Sequence, residues 1–110
     1  MNSLNTLNNL QSINGSLQLL QNNNLNDISS LQYINPNTIT SLTISNNPLL
    51  SICSYTNICT YLSYDSTTHP RTINNNLGSC IDETAVNLAC SSLSNIDNEI
   101  NYSIEIFKQN

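Results

Sequence analysis

Apolar residues recur at fixed intervals through the first fifty residues of the chain. Residues 4–13 place Leu or Ile at every third position, and residues 25–34 repeat this spacing 21 residues later, with the same Gln beside the third apolar residue. Each block leads into a segment in which apolar and polar residues alternate, as in a β-strand with one buried face. These segments are Leu17-x-Leu19-x-x-Asn22, Leu42-x-Ile44-x-x-Asn47 and a weaker third copy, Arg71-x-Ile73-x-x-Asn76.

One Asn follows each predicted strand at the same distance: Asn22, Asn47 and Asn76. A buried amide persists only where its polar atoms are hydrogen-bonded, so we expect these side chains to bond backbone groups of their own and the adjacent coil as a structural ladder. The chain contains 22 Asn residues, and chance matches in a low-complexity, aggregation-prone sequence are the alternative. The phased Leu and Ile positions argue against that alternative.

The combined pattern resembles the L-x-x-L-x-L-x-x-N-x-L unit of leucine-rich repeats. The resemblance implies a β-rich α/β solenoid, in which a short right-handed stack of coils carries a parallel sheet and ends in a helical, disulfide-stapled C-terminal cap. It places the repeats in residues 1–52, the cysteine cap in 53–90 and a linker or tail in 91–110. Coils need neighbours and end caps, and no N-terminal cap is recognisable. We therefore expect further repeats upstream and an N-terminal edge open to self-association.

Four Cys residues occur, all of them in the predicted cap. An even number in a small chain favours disulfides in an oxidising compartment. The spacings Cys53-x5-Cys59 and Cys80-x9-Cys90 do not match the short knuckles of structural zinc sites. We therefore expect disulfides, no metal and no cofactor.

The cap is predicted to contain two helices, over Thr56–Leu62 with Ile58, Cys59 and Leu62 inward, and over Asp82–Cys90. The second helix would hold Cys80 and Cys90 about 15 Å apart along its axis, which is too far for a disulfide. Two pairings remain.

We prefer Cys53–Cys80 with Cys59–Cys90, because Cys53 and Cys80 follow the ladder Asn residues at similar distances. The pairing of Cys53 with Cys90 and of Cys59 with Cys80 stays open.

The cap is also similar to a family. The stretches Ile44-Ser-Asn-Asn-Pro48-x-Leu50-x-x-Cys53, Ile58-Cys59-x-Tyr61-Leu62, Ile73-x-Asn75-Asn76-x-Gly78-x-Cys80 and Glu83-x-x-Val86-x-x-Ala89-Cys90 resemble the terminal cap of secreted leucine-rich-repeat proteins of Bacteroidetes type. Residues 102–107 alternate like a strand and resemble the start of a type IX secretion sorting domain, an unstructured tail being the alternative. The resemblance implies a secreted or cell-surface protein.

The charge of the chain limits the classes of partner that it is expected to bind. Only 8% of the residues are charged, and the net charge is −5 with two basic residues. Phosphate binding needs a basic stripe, so the composition excludes nucleic acid, and an anionic membrane surface is disfavoured for the same reason. No apolar run has the length of a membrane span and no signal segment opens the sequence. We therefore expect no membrane insertion, and an export signal would lie upstream.

No group of residues predicts catalysis. His69 is the only His, and it lies in a polar loop close to Asp65; a triad depends on placement in space rather than in sequence, so an exposed loop His is the better interpretation. Asp82 and Glu83 are explained as charges at a helix start. We predict that the protein is not an enzyme.

The outward strand positions are the candidate for binding. They form an uncharged face rich in hydroxyl and amide groups, concave in the proteins that the repeats resemble: Gln18, Leu20, Thr43, Ser45, Thr72 and Asn74. The resemblance implies a non-catalytic module that holds a protein or a polysaccharide on this face. The alternative is a purely structural cap or spacer of a larger surface protein.

Overall fold

Three parallel strands form the centre of the molecule. The computed structural model describes Leu4 and residues 7–91. Its sheet has the order β1-β2-β3, with the strands β1 (Gly15–Leu20), β2 (Ile39–Ser45) and β3 (Arg71–Asn74). The prediction of an α/β fold with a parallel sheet is confirmed.

The strands pair in the register that the sequence pattern predicts. Leu19 lies beside Ile44, and Ile44 lies beside Ile73. All three side chains are buried, because successive residues of a strand point to opposite faces and these positions point inward. The sheet therefore buries one face and leaves the other accessible.

Helical segments connect the strands and enclose the core from the other side. Two 3₁₀ helices, Ser29–Tyr33 and Pro36–Thr38, lie between β1 and β2, and helix α1 (Thr56–Ser63) lies between β2 and β3. Helix α2 follows β3 and covers residues 83–91, of which 91 is the last described residue. Both helices predicted for the cap are present: α1 begins at the predicted residue and ends one residue later, and α2 begins one residue later than predicted.

Helix α1 buries a different set of side chains from the predicted one. Ile58 and Leu62 point inward as expected, but Cys59 is only half-buried, and Asn57 and Tyr61 are buried beside them. The Asn57 amide donates to the carbonyl oxygens of Leu31 at 2.8 Å and Ile34 at 3.0 Å. Asn57 thereby satisfies the carbonyl groups at the end of a 3₁₀ helix, which helps to explain why a polar residue occupies the core side of α1.

Two disulfides join the part of the chain that follows β2 to the part that follows β3. They join Cys53 to Cys80, with Cα atoms 5.4 Å apart, and Cys59 to Cys90, with Cα atoms 5.8 Å apart. This is the pairing preferred from the sequence. Closing loops with sequence separations of 27 and 31 residues stabilises the fold chiefly by restricting the unfolded chain, by about 3–4 kcal/mol each.

One core runs between the sheet and the helical side. Its fully buried apolar members come from β2, from the segments that follow β1 and β2, and from both helices: Leu25, Ile28, Ile34, Ile39, Leu42, Ile44, Leu50, Ile58, Tyr61 and Val86. Strand β3, which belongs to the predicted cap of residues 53–90, is part of the same sheet as the predicted repeats. The predicted strand over 102–107 lies outside the described residues. Within the described residues, no helix has the length and apolar content needed to cross a bilayer.

Candidate binding face

The solvent-facing side of the sheet arranges the predicted binding residues in rows. Sheet pairing places Gln18 beside Thr43 and Thr43 beside Thr72. A second row contains Leu20, Ser45 and Asn74 in the same way. The structure therefore brings all six predicted residues together on one surface.

Exposure differs along the rows. Gln18 and Thr72 are exposed and Thr43 is half-buried. Leu20 is 47% exposed and is the single large apolar side chain of this surface.

Ser45 does not fit the expectation of a solvent-facing position, because only 8% of it is exposed. Its hydroxyl donates to Asn74 Oδ1, and Asn46 Nδ2 donates to the Ser45 hydroxyl. Ser45 thus orients the exposed amide of Asn74 rather than offering its own hydroxyl to a ligand.

A third row extends the face towards the start of the strands, and the sequence interpretation missed it. Ser16 pairs with Ser41, and their hydroxyl oxygens lie 2.6 Å apart. Both residues obey the same alternation as the predicted positions, so the period of two was sufficient to find them. The face therefore consists of three rows of uncharged side chains, which we call the strand face: Ser16, Ser41, Gln18, Thr43, Thr72, Leu20, Ser45 and Asn74.

Beneath the ends of the strands, the three predicted Asn residues form a ladder. The Oδ1 atom of Asn47 accepts from the backbone N–H and the Nδ2 of Asn22, each at 3.1 Å. The Oδ1 atom of Asn76 accepts from the same two groups of Asn47, each at 3.0 Å. The Nδ2 groups also bond strand carbonyls, from Asn47 to Leu19 and from Asn76 to Ile44. The ladder fixes the strand spacing and thereby the geometry of the strand face.

Arg71 begins β3 at a position that holds an apolar residue in the other strands. Its side chain is 6% exposed and forms an ion pair with Glu83 at 3.0 Å. The guanidinium group makes five hydrogen bonds, equal in number to its N–H groups. Four of them reach backbone carbonyl oxygens, those of Tyr61, Leu62, Tyr64 and His69. The positive charge of Arg71 is therefore paired inside the fold and does not contribute to the strand face.

His69 lies in an aromatic cluster at the end of α1. Its ring centroid is 4.6 Å from that of Tyr64 and 5.5 Å from that of Tyr61, and its Nδ1 is 2.8 Å from the Thr68 hydroxyl. The nearby Asp65 carboxylate instead accepts from the backbone N–H and hydroxyl of Thr67. These bonds hold the pKa of Asp65 below its usual value, because they stabilise the ionised form. Neither the contact of His69 with Thr68 nor the bonds of Asp65 to Thr67 place the imidazole between a nucleophile and a carboxylate, as a catalytic triad requires.

The described residues also contain no group of three or more His, Cys, Asp or Glu side chains arranged to hold a metal ion. The chemistry that the strand face can offer is hydrogen bonding by hydroxyl and amide groups and contact with one Leu. No known protein family matches the chain, and neither a curated protein nor a solved structure is similar to it.

Proposed function

We propose that the chain is a leucine-rich-repeat module of a secreted or cell-surface protein, which binds a protein or a polysaccharide through the strand face without catalysis. The observation that supports this function best is the strand face itself, where uncharged polar side chains lie in three registered rows on a rigid parallel sheet. Polar groups held on a rigid scaffold can match a ligand at low entropic cost.

The repeat assignment is supported by the spacing and by the ladder. Paired residues of successive strands are 25 and 29 residues apart, which lies close to the length of leucine-rich repeats. The Leu-x-Leu positions of the pattern supply inward strand residues, and the Asn positions supply the ladder. An extracellular location is compatible with the two disulfides, since such bonds persist in oxidising compartments.

The test is retention of ligands by immobilised chain, on glycan arrays and against extracellular matrix and cell-surface proteins. The face variant changes the central row to Ala (Gln18→Ala, Thr43→Ala, Thr72→Ala). The control variant changes the exposed residues Asn26, Gln32 and Asn87 to Ala, none of which belongs to the strand face. We expect the face variant to bind at least about tenfold more weakly and the control to bind like the parent chain.

A purely structural spacer or cap is the second candidate. It is favoured by the small size of the strand face and by the internal use of Ser45 and Arg71, whose polar groups serve the fold. A spacer retains no ligand on any of these surfaces. Equal binding by the parent and the face variant would place recognition elsewhere and contradict the proposed use of the strand face.

A further inference from the structure

The hydroxyl group of Ser45 joins two exposed amides at the end of the strand face. Ser45 Oγ donates to Asn74 Oδ1 and accepts from Asn46 Nδ2 at 3.0 Å. A backbone hydrogen bond, from the Asn46 N–H to the Asn74 carbonyl oxygen at 3.1 Å, links the same two residues. Both Asn residues are exposed, whereas only 8% of Ser45 is exposed. A buried hydroxyl group therefore holds two solvent-facing side chains in fixed positions.

This arrangement leaves a different group of each amide free to bind a ligand. A hydroxyl group has one proton, so Ser45 donates to one amide and accepts from the other. Among the described residues, Asn74 Nδ2 and Asn46 Oδ1 have no further hydrogen-bond partner. The two amides thus offer one donor group and one acceptor atom, both oriented before any ligand arrives, and a matching ligand has few side chains to order when it binds.

An apolar side chain completes the site. Sheet pairing places Leu20 beside Ser45, on the side opposite to Asn74, and Leu20 is 47% exposed. Thr43 lies two residues before Ser45 on the same face, about 7 Å away along the strand. We call the group of Leu20, Ser45, Asn46 and Asn74 the Ser45 site.

The size and composition of the strand face argue against a folded protein as its ligand. Three strands about 4.8 Å apart, with rows that span four steps of about 3.3 Å, give a face of a few hundred Å² at most. A stable protein complex buries about 800 Å² on each partner. The residues that usually anchor such complexes are Trp, Tyr and Arg, and the strand face contains none of them.

The charge of the region argues against an anionic glycan. All residues of the strand face are uncharged, and the guanidinium group of Arg71 is paired with Glu83 inside the fold. Asp82, which forms an antiparallel bridge with Asn74, is exposed and brings an acidic residue beside the Ser45 site. Sulfate or carboxylate groups on a sugar would therefore meet a like charge and find no cation.

We propose that the strand face binds a neutral polysaccharide, and that the Ser45 site takes two neighbouring hydroxyl groups of one sugar ring. One hydroxyl group donates to Asn46 Oδ1, and the other accepts from Asn74 Nδ2, since each hydroxyl can act in either role. The C–H groups of the ring lie against Leu20. This inference rests on the proposed function and narrows its ligand from a protein or a polysaccharide to a neutral polysaccharide.

The test measures binding of the chain to immobilised polysaccharides by biolayer interferometry. The neutral probes are dextran, pullulan, laminarin and galactomannan, and dextran sulfate is the anionic counterpart of dextran. We expect binding to at least one neutral probe and none to dextran sulfate. The dissociation constant should change less than twofold between about 0.05 M and 0.5 M NaCl, because no charge on the ligand is screened.

Two variants test the Ser45 site. Ser45→Ala keeps both amides but removes the group that orients them, and should weaken binding about fivefold. Asn74→Asp still accepts from the Ser45 hydroxyl but replaces the outward donor by an acceptor, and should weaken binding at least about tenfold. The controls are Ser79→Ala, which removes another internally bonded hydroxyl group, and Asn87→Asp, which makes the same charge change on α2. Both controls should bind like the parent, and thermal unfolding should show all four variants folded.

The outcomes separate this inference from the proposed function. Unchanged binding of Ser45→Ala and Asn74→Asp would overturn the Ser45 site, and binding to dextran sulfate alone would overturn the neutral ligand. Retention of an extracellular protein that depends on the central row, without binding to any polysaccharide, would overturn the inference and leave the proposed function in place. A chain that retains neither class of ligand would overturn both.

Discussion

At the scale of single residues, the residue after each strand carries the most demanding backbone conformation. Gln21, Asn46 and Asn75 all have positive φ, at 55°, 61° and 57°, and each stands directly before a ladder Asn. L-residues other than Asn and Asp rarely adopt this left-handed conformation, because Cβ approaches the following carbonyl oxygen. The doublet of Asn residues after β2 and after β3 thus has two separate causes, namely backbone conformation at the first position and amide bonding at the second.

Gln21 is the residue that departs from this rule. We expect Gln21→Asn to raise the free energy of unfolding by about 0.5–1 kcal/mol, because Asn tolerates positive φ better than Gln. Urea unfolding of the parent and the variant measures the change. The matched control is Asn75→Gln, which is exposed and should lower stability by a similar amount. A loss of stability in Gln21→Asn would contradict the role assigned to the backbone.

Arg71 is another residue whose role is determined by its contacts in the folded structure. Its guanidinium group makes five hydrogen bonds, and the guanidinium carbon lies 5.6 Å from the centre of the Tyr61 ring. These contacts join α1, β3 and α2. We expect Arg71→Met to lower the unfolding free energy by about 2–4 kcal/mol, because buried carbonyl groups lose their donors. Arg71→Lys should recover only part of this loss, since Lys lacks the planar fork of five donors.

Glu83→Gln provides the control for charge alone. The Glu83 side chain is 39% exposed, so screening by solvent limits the ion pair to less than about 1 kcal/mol. If Arg71→Met proved no more costly than Glu83→Gln, the carbonyl bonds would not be the source of stability. Urea unfolding at one ionic strength compares the three variants.

At the scale of elements, the hydrogen bonds of the Asn ladder link the end of each strand to the end of the next. Asn47 is the central rung, completely buried and bonded to both neighbours. Asn22 is the end rung and is only half-buried. The same residue type at equivalent positions should therefore differ in its contribution.

We expect Asn47→Ala to lower the free energy of unfolding by about 2–4 kcal/mol and Asn22→Ala by about 1 kcal/mol. The first substitution leaves buried donors and acceptors without partners on both sides of Asn47. Thermal unfolding monitored by circular dichroism ranks the two variants. Equal effects would show that the Asn residues act independently of their position in the ladder.

Which elements the sequence predicts follows from the range of the interactions. The alternation around Leu17, Leu42 and Ile73 depends on local periodicity and predicts the strands themselves. Their parallel pairing is an expectation from the resemblance to leucine-rich repeats, because alternation alone does not fix the direction of pairing. The inward role of Asn57 could not be predicted, because its carbonyl partners lie 23 and 26 residues away in sequence. For the same reason, the apolar pattern identifies Arg71 only as a departure in the third copy. In the structure the carbon stem of Arg71 occupies the inward position, and its guanidinium group is hydrogen-bonded within the fold.

The strand face shows the same division. Alternation placed Gln18, Thr43 and Thr72 correctly on one surface and would have added Ser16 and Ser41. It could not distinguish an exposed hydroxyl from one engaged by a neighbour, and Ser45 is bonded on both sides by residues of the fold. A pattern therefore predicts the direction of a side chain, whereas the availability of that side chain to a ligand depends on its contacts with neighbouring residues and strands.

At the scale of the whole molecule, stability should depend on pH mainly outside the neutral range. Burial raises the pKa of Tyr61 and of Tyr55 above the usual 10.0, because the neutral phenol is preferred in an apolar environment. A raised pKa in the folded state contributes stability that is complete below the unfolded value and is lost as the pH rises through the folded value. Loss of stability on the alkaline side is therefore expected above about pH 10.

The acidic side depends on two Asx-type turns. The backbone N–H of Ser29 donates to the Asp27 carboxylate at 2.8 Å, and Asp65 is bonded by Thr67 in the same way, so that the pKa of both carboxyl groups lies below the usual 3.8. A lowered pKa in the folded state contributes stability that is complete above the unfolded value and is lost as the pH falls through the folded value. The unfolding free energy should therefore decline below about pH 4. In Asp27→Asn the amide oxygen still accepts from Ser29 but does not titrate, so this variant should show a shallower decline between about pH 4 and pH 2 than the parent. Urea unfolding at a series of pH values measures both slopes, and identical slopes would remove Asp27 from the acid response.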